Sequence, residues 1–140
     1  AFSAADGRSL WEAPFVCEGP LRDAIQVGRN TIFQYARRDR FYAIKLTDGS
    51  RRWSVPEGRR VLAAIDGEVY LIDAAGRLQI RNEITGELQT SVELRGYTLF
   101  ADNVSAPAVY AATSDGRVSC IRKLEAGYLT VEDLRARGGS

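Results

Sequence analysis

The sequence predicts an all-β chain folded as a partial β-propeller of about three and a half four-stranded blades. Three observations carry this expectation: one phrase recurs at a period near forty residues, short alternating apolar runs fill each period, and glycine stands at the turns. Ala5-Asp6-Gly7-Arg8-Ser9-Leu10-Trp11 returns as Thr47-Asp48-Gly49-Ser50-Arg51-Arg52-Trp53, with the glycine and the tryptophan both displaced by 42 positions. Ile84-Thr85-Gly86-Glu87-Leu88-Gln89-Thr90 is a third copy, 37 further on by its glycine, with Thr90 at the tryptophan position. Lys123-Leu124-Glu125-Ala126-Gly127 is a fainter fourth, another 41 along. A second marker keeps the same frame: Ile32-Phe33, Val69-Tyr70 and Val109-Tyr110 each open an alternating run, at displacements of 37 and 40.

Each of those runs leads through a polar turn to an arginine with apolar residues behind it, at Arg40-Phe41, Arg77-Leu78 and Arg117-Val118. This is a β-hairpin written three times, with Asp66-Gly67, Ala75-Gly76 and Asp115-Gly116 supplying positive-φ turn positions. In chain order, a half-blade over 1–20 holds strands near Phe2–Ala4 and Ser9–Ala13, with Gly7 turning between them. The blade over 21–58 holds Asp23–Val27, Thr31–Tyr35, Phe41–Leu46 and Arg51–Val55, with Gly49 before its last strand. The blade over 59–96 holds Val61–Ile65, Glu68–Ile72, Leu78–Glu83 and Leu88–Leu94, with Gly86 in the same place. The blade over 97–131 holds Thr98–Asp102, Ala108–Thr113, Arg117–Arg122 and Tyr128–Val131, with Gly116 in its central turn. Helical character is confined to Val131–Arg137, and 132–140 reads as a tail. A four-stranded sheet of this size cannot bury both faces alone, so each blade must stack on the next and the last needs the first.

Composition narrows the function. With 45% hydrophobic and 26% charged residues the chain is an ordinary globular domain, and a net charge of +1 gives no whole-molecule field to recruit nucleic acid or an anionic membrane. Histidine is absent, which removes the commonest general base, the usual imidazole metal ligand and every His-containing triad. No apolar stretch is long enough for a membrane-spanning helix. Cys17 and Cys120 are too far apart for a CxxC site and are expected to be small buried hydrophobes, a bridge between them being the minor alternative. Position 1 is Ala and no Met occurs, so the chain reads as a section of a longer polypeptide.

The phrases Phe41-Tyr42-Ala43-Ile44-Lys45-Leu46-Thr47-Asp48-Gly49-Ser50-Arg51-Arg52-Trp53 and Phe2-Ser3-Ala4-Ala5-Asp6-Gly7-Arg8-Ser9-Leu10-Trp11 resemble the repeat of PQQ-like (quinoprotein-type) propellers. The resemblance spans nearly the whole chain, and is to the C-terminal blades of an outer-membrane assembly lipoprotein-like or other PQQ-like repeat protein. It implies that Trp11 and Trp53 are blade-docking residues. Thr90 and Val131 depart from the pattern, which implies other packing for the third and fourth blades. The family also contains cofactor-bearing dehydrogenases, marked by a vicinal cysteine pair, a carboxylate-bound ion and a catalytic aspartate. No two cysteines are adjacent here, and Asp6, Asp48, Asp66 and Asp115 are explained as turn residues. No catalytic, cofactor-binding or metal-binding residue is therefore assigned, and no cofactor is expected. Such rings close with more blades than this chain encodes, so the resemblance implies completion by another chain or a second copy, within an oligomer or larger complex in an extracytoplasmic compartment, periplasmic or membrane-associated.

One charge feature stands out. Between Arg37 and Arg60 seven Arg and one Lys face three acids. An up-and-down blade puts Arg37, Arg38 and Arg40 on the same propeller face as Arg59 and Arg60, a candidate partner-binding basic patch suited to carboxylates or phosphates. The alternative is an ordinary solvated surface in a chain that prefers Arg to Lys by 17 to 2. No aromatic interleaving favours nucleic acid. The reading is a non-catalytic interaction or assembly scaffold. Its alternatives are a quinoprotein dehydrogenase fragment whose site lies mostly elsewhere, and a polyanion-binding module.

Overall fold

The computed structural model describes residues 1–101 and 108–122, and these fold as three antiparallel sheets with no helix among them. The first sheet contains β1 (Gln26–Val27), β2 (Thr31–Tyr35), β3 (Phe41–Lys45) and β4 (Arg51–Val55), paired in chain order. The second contains β5 (Gly58–Ile65), β6 (Glu68–Asp73), β7 (Arg77–Asn82) and β8 (Leu88–Glu93) in the same order. The third runs through β9 (Tyr97–Ala101), β10 (Ala108–Thr113) and β11 (Val118–Arg122). Strand Tyr128–Val131 and the helical stretch from Val131 lie outside the described residues.

The repeat is reproduced at the level of hydrogen bonds. At the turn before the outer strand, Gly49 N–H donates to the Lys45 carbonyl and Lys45 N–H to Ser50, while Gly86 donates to Asn82 and Asn82 to Glu87. Gly7 donates to Ser3 and Ser3 to Arg8, the same pair of bonds a third time. The register shows where the phrases align: Ala43 pairs with Trp53 and Ile80 with Thr90, each followed by a bulge. Thr90 therefore stands in the tryptophan slot.

The first unit is thinner than its sequence suggests. In place of two strands there is a single bridge, Phe2 to Ser9, around that turn, and the inner strand expected at Asp23–Val27 is only two residues long. A hairpin with no further strand beside it has nothing to extend its ladder, and two-stranded hairpins are marginal in water.

Pairing between sheets makes the core. One face of the first sheet (Phe33, Phe41, Ala43, Trp53, Val55) packs on Val61, Val69 and Leu71 of the second. The opposite face of the second (Tyr70, Ile72, Leu78, Ile80) packs on Val109, Phe100 and Ile121 of the third. On the far side of the first sheet, Tyr42 and Ile44 are covered by Trp11, Phe15 and Cys17. The alternation of strand side chains thus becomes a stack of sheets in sequence, as radial repetition requires.

Candidate functional site

The junction between the first and second sheets is built around tryptophan and glycine. Trp53 projects from β4 toward the second sheet, donating its indole N–H to the Glu83 carbonyl at 2.8 Å. Its ring lies against Gly86, where a Cβ would sit 2.5 Å from Trp53 Cγ, and Gly86 has φ +75°. Only glycine meets both conditions without displacing the ring. Trp11 repeats the arrangement one unit earlier, donating to the Leu46 carbonyl at 3.0 Å and lying on Gly49 (φ +75°). Gly7 and Gly116 also have positive φ, but a Cβ at either would meet nothing within 4 Å.

Around Trp53 stand Phe33 and Phe41, with ring centroids 6.2 and 6.3 Å from it. Arg81 passes under this junction from β7, donating to the Gly86 carbonyl and to Gln79 Oε1, both at 2.8 Å. Burial pulls its guanidinium below the usual value and Glu57 pulls it back. Gln79 in turn donates to Asp73, whose carboxylate also accepts from the backbone N–H of Ala75 and Arg77 and from Arg77 Nε. Burial would raise the Asp73 carboxyl, but the hydrogen bonds from Arg77, Ala75 and Gln79 outweigh it and hold it below the ordinary range. On the far side, Tyr42 is pushed up to about 12 by its hydrogen bond to Asp39, with burial adding to the shift.

The five arginines of the basic patch divide. Arg59 lies 4.4 Å over the Tyr35 ring and donates to the Gly58 carbonyl, and with Arg60 it lines a depression of about 560 Å³. Arg40 reaches the other way, along the sheet to Ser54 Oγ at 3.0 Å. Arg37 and Arg38 are exposed in the β2–β3 turn, Arg38 with φ 62°, and neither lines that depression. Proximity of Gly58 to Phe41 does place the two connections on one face. A short loop fixes where a backbone goes, whereas the direction of a long cation follows whatever acceptor or ring stands beside it.

The cysteines are both free. Cys17 is half-buried beside Tyr42, its thiol pushed up by burial and by Asp39, whereas Cys120 is exposed. The expectation of two buried cysteines thus fails at Cys120, because its pairing with Tyr110 puts it on the outward face of the third sheet, opposite Val109 and Ile121. Among the described residues no three acids or cysteines gather as a metal site.

Two groups were not legible in the sequence. Gln26 uses its side-chain amide as a strand would, donating to the Val61 carbonyl at 2.6 Å and accepting from Val61 N–H at 2.8 Å, so it ties β1 to β5 across the junction. Glu83 is buried nearby, at 5% exposure. Neither belongs to a motif, and only the approach of two sheets gives them their roles.

The family model described as outer membrane protein assembly factor BamB matches residues 1–136. The chain belongs to the BamB family. Among solved structures, this BamB-family chain is similar to BamB from Moraxella catarrhalis, with a TM-score of 0.61 and 20% identity over 85% of this chain and 35% of that one. It is also similar to quinohemoprotein alcohol dehydrogenase ADHIIG from Pseudomonas putida HK5 (TM-score 0.55, 19% identity, 81% of this chain, 20% of that one). The computationally designed Ika4 protein gives a TM-score of 0.54 at 16% identity, over 70% of this chain and 63% of that one. Curated sequences give no significant match. At these identities the likenesses establish the PQQ-like propeller fold, and the chain spans about a third of the Moraxella protein.

Proposed function

We propose that this BamB-family chain is a non-catalytic propeller module that acts as a protein–protein interaction or assembly scaffold, completed at its open sheet face by another chain or a second copy. The observation that carries the proposal is the outward face of the third sheet. Leu99 and Val118 lie on one side through their common partner Ala112, and Tyr110 and Cys120 share that side. Leu99 is 62% and Val118 77% exposed. The corresponding side of the second sheet, with Tyr70, Ile72, Leu78 and Ile80, is buried against its neighbour. An apolar sheet face of this kind gains free energy by acquiring a cover.

The family description, an outer membrane protein assembly factor, supports assembly work in an extracytoplasmic compartment. Light scattering across a size-exclusion run, with mass spectrometry of the peak, tests the proposal. A homo-oligomer or a second polypeptide in the peak is expected, and a folded, monodisperse 15.4 kDa monomer overturns completion. Likeness to a quinohemoprotein dehydrogenase supports the alternative, a dehydrogenase section whose cofactor site lies mostly outside this chain. Quinone absorbance after addition of the cofactor and calcium is its test.

A further inference from the structure

An open groove of about 1120 Å³ runs between the inner edges of the first and second sheets, on the side of the Gln26–Val61 bridge away from Arg59. Its apolar lining includes Ile25, Val27 and Ile84, which are 61%, 58% and 50% exposed. Arg29 and Asp66 are its exposed charged lining residues. Glu83 also lines it, at only 5% exposure, and its Oε1 is buried with no hydrogen-bond partner. That oxygen is an anomaly, because buried carboxylates are normally paired and an unpaired one is expensive. The Glu83 backbone is fully used, its N–H donating to the Gly67 carbonyl and its C=O accepting from Trp53. The side chain is therefore fixed at the groove by the same contacts that dock the sheets.

We propose that this groove binds an extended protein segment that presents a lysine or arginine to Glu83 while its apolar neighbours cover Ile25, Val27 and Ile84. Charge complementarity selects this occupant: the unpaired acceptor calls for a cationic donor, and the apolar residues around it call for flanking apolar side chains. The volume exceeds what one amino-acid side chain fills and suits several consecutive residues. The inference rests on the interaction-module reading and adds the chemistry of the partner.

The test uses fluorescein-labelled acetyl-Thr-Val-Lys-Val-Thr-amide and the same peptide with norleucine in place of lysine, titrated against the chain by fluorescence anisotropy. The lysine peptide is expected to bind at least about tenfold more tightly, as one charge-assisted hydrogen bond warrants. Glu83→Gln should erase that preference, because the amide keeps the shape of the side chain while removing the carboxylate that a cationic donor recognises. Equal binding of the two peptides, binding of neither, or a preference that survives Glu83→Gln overturns the proposal. Failure of the completion reading looks different: a chain that stays monomeric in light scattering yet prefers lysine keeps the groove, and an oligomer without the preference loses it.

Discussion

The junction between the first and second sheets and the junction between the second and third are two solutions to one packing problem. In the first, the outer strand β4 carries Trp53, which is buried, hydrogen-bonded and seated on a glycine, so the apolar contact runs from β2 out to β4. In the second, Thr90 occupies that slot, and all six residues of β8 are exposed. The apolar contact there is carried by inner and middle strands, through Tyr70, Leu78 and Ile80 against Val109 and Ile121. One large side chain with a polar handle extends the seal to the outer strand, and without it the sheets meet only nearer the middle.

The largest break in this comparison should come from Trp53→Ala, which removes an aromatic body from a cluster with Phe33 and Phe41 together with the bond to Glu83. We predict a loss of ~3–5 kcal/mol in chemical denaturation. A loss below about 1 kcal/mol would mean that this junction does not depend on the ring. Thr90→Ala, at the equivalent but exposed position, should stay within about 0.5 kcal/mol.

Gly86→Ala should follow Trp53 in size. The new methyl meets the indole at 2.5 Å on a backbone with φ +75°, so overpacking and left-handed strain add to roughly 2–4 kcal/mol. Gly116→Ala has the strain without the clash and should cost about 1–2 kcal/mol, so equal losses at the two glycines would show that ring contact contributes nothing.

A smaller effect sharpens the contrast through pH. The folded carboxyl of Asp73 lies below its unfolded value, so its stabilisation is present above the unfolded value near pH 4 and is lost as pH falls through the lower folded value. We predict that Asp73→Asn costs roughly 1–2 kcal/mol at neutral pH and flattens the fall in melting temperature on the acid side of pH 4. An unchanged acid profile would remove Asp73 as the cause. In the third sheet Thr113 stands at the head of the matching turn, accepting from Arg117 N–H and donating to Asp115, whose carboxyl is also held low by Thr113 and Arg117, but that carboxylate is exposed where Asp73 is buried.

Spacing alone reached the repeat because turn and register are local: the Gly7, Gly49 and Gly86 turns share one hydrogen-bond pattern, and the phrases align at Trp53 and Thr90 as the displacements require. The reduction of the first unit to one bridge was not legible, since strand propensity carries no information on whether a neighbouring strand is present. Cys120 eluded the sequence for a related reason: an apolar strand residue can face either side, and which side has a cover depends on the next sheet. The basic patch shows the same limit, because counting charges could not foresee that Arg59 stacks on Tyr35 while Arg40 reaches Ser54.

What the sequence determined by itself is therefore the blade, its four-strand frame, its glycine turns and the slot that tryptophan fills, all set by interactions within about forty residues. What only the tertiary structure decided is what happens between blades: Gln26 bonded to Val61, Glu83 Oε1 buried without a hydrogen-bond partner at a groove, Trp53 resting on Gly86, and Leu99 and Val118 open to solvent. The bonds of Gln26 and Trp53 join backbones 30 or more residues apart, and burial and polar satisfaction acquire values only once the neighbouring sheet is in place.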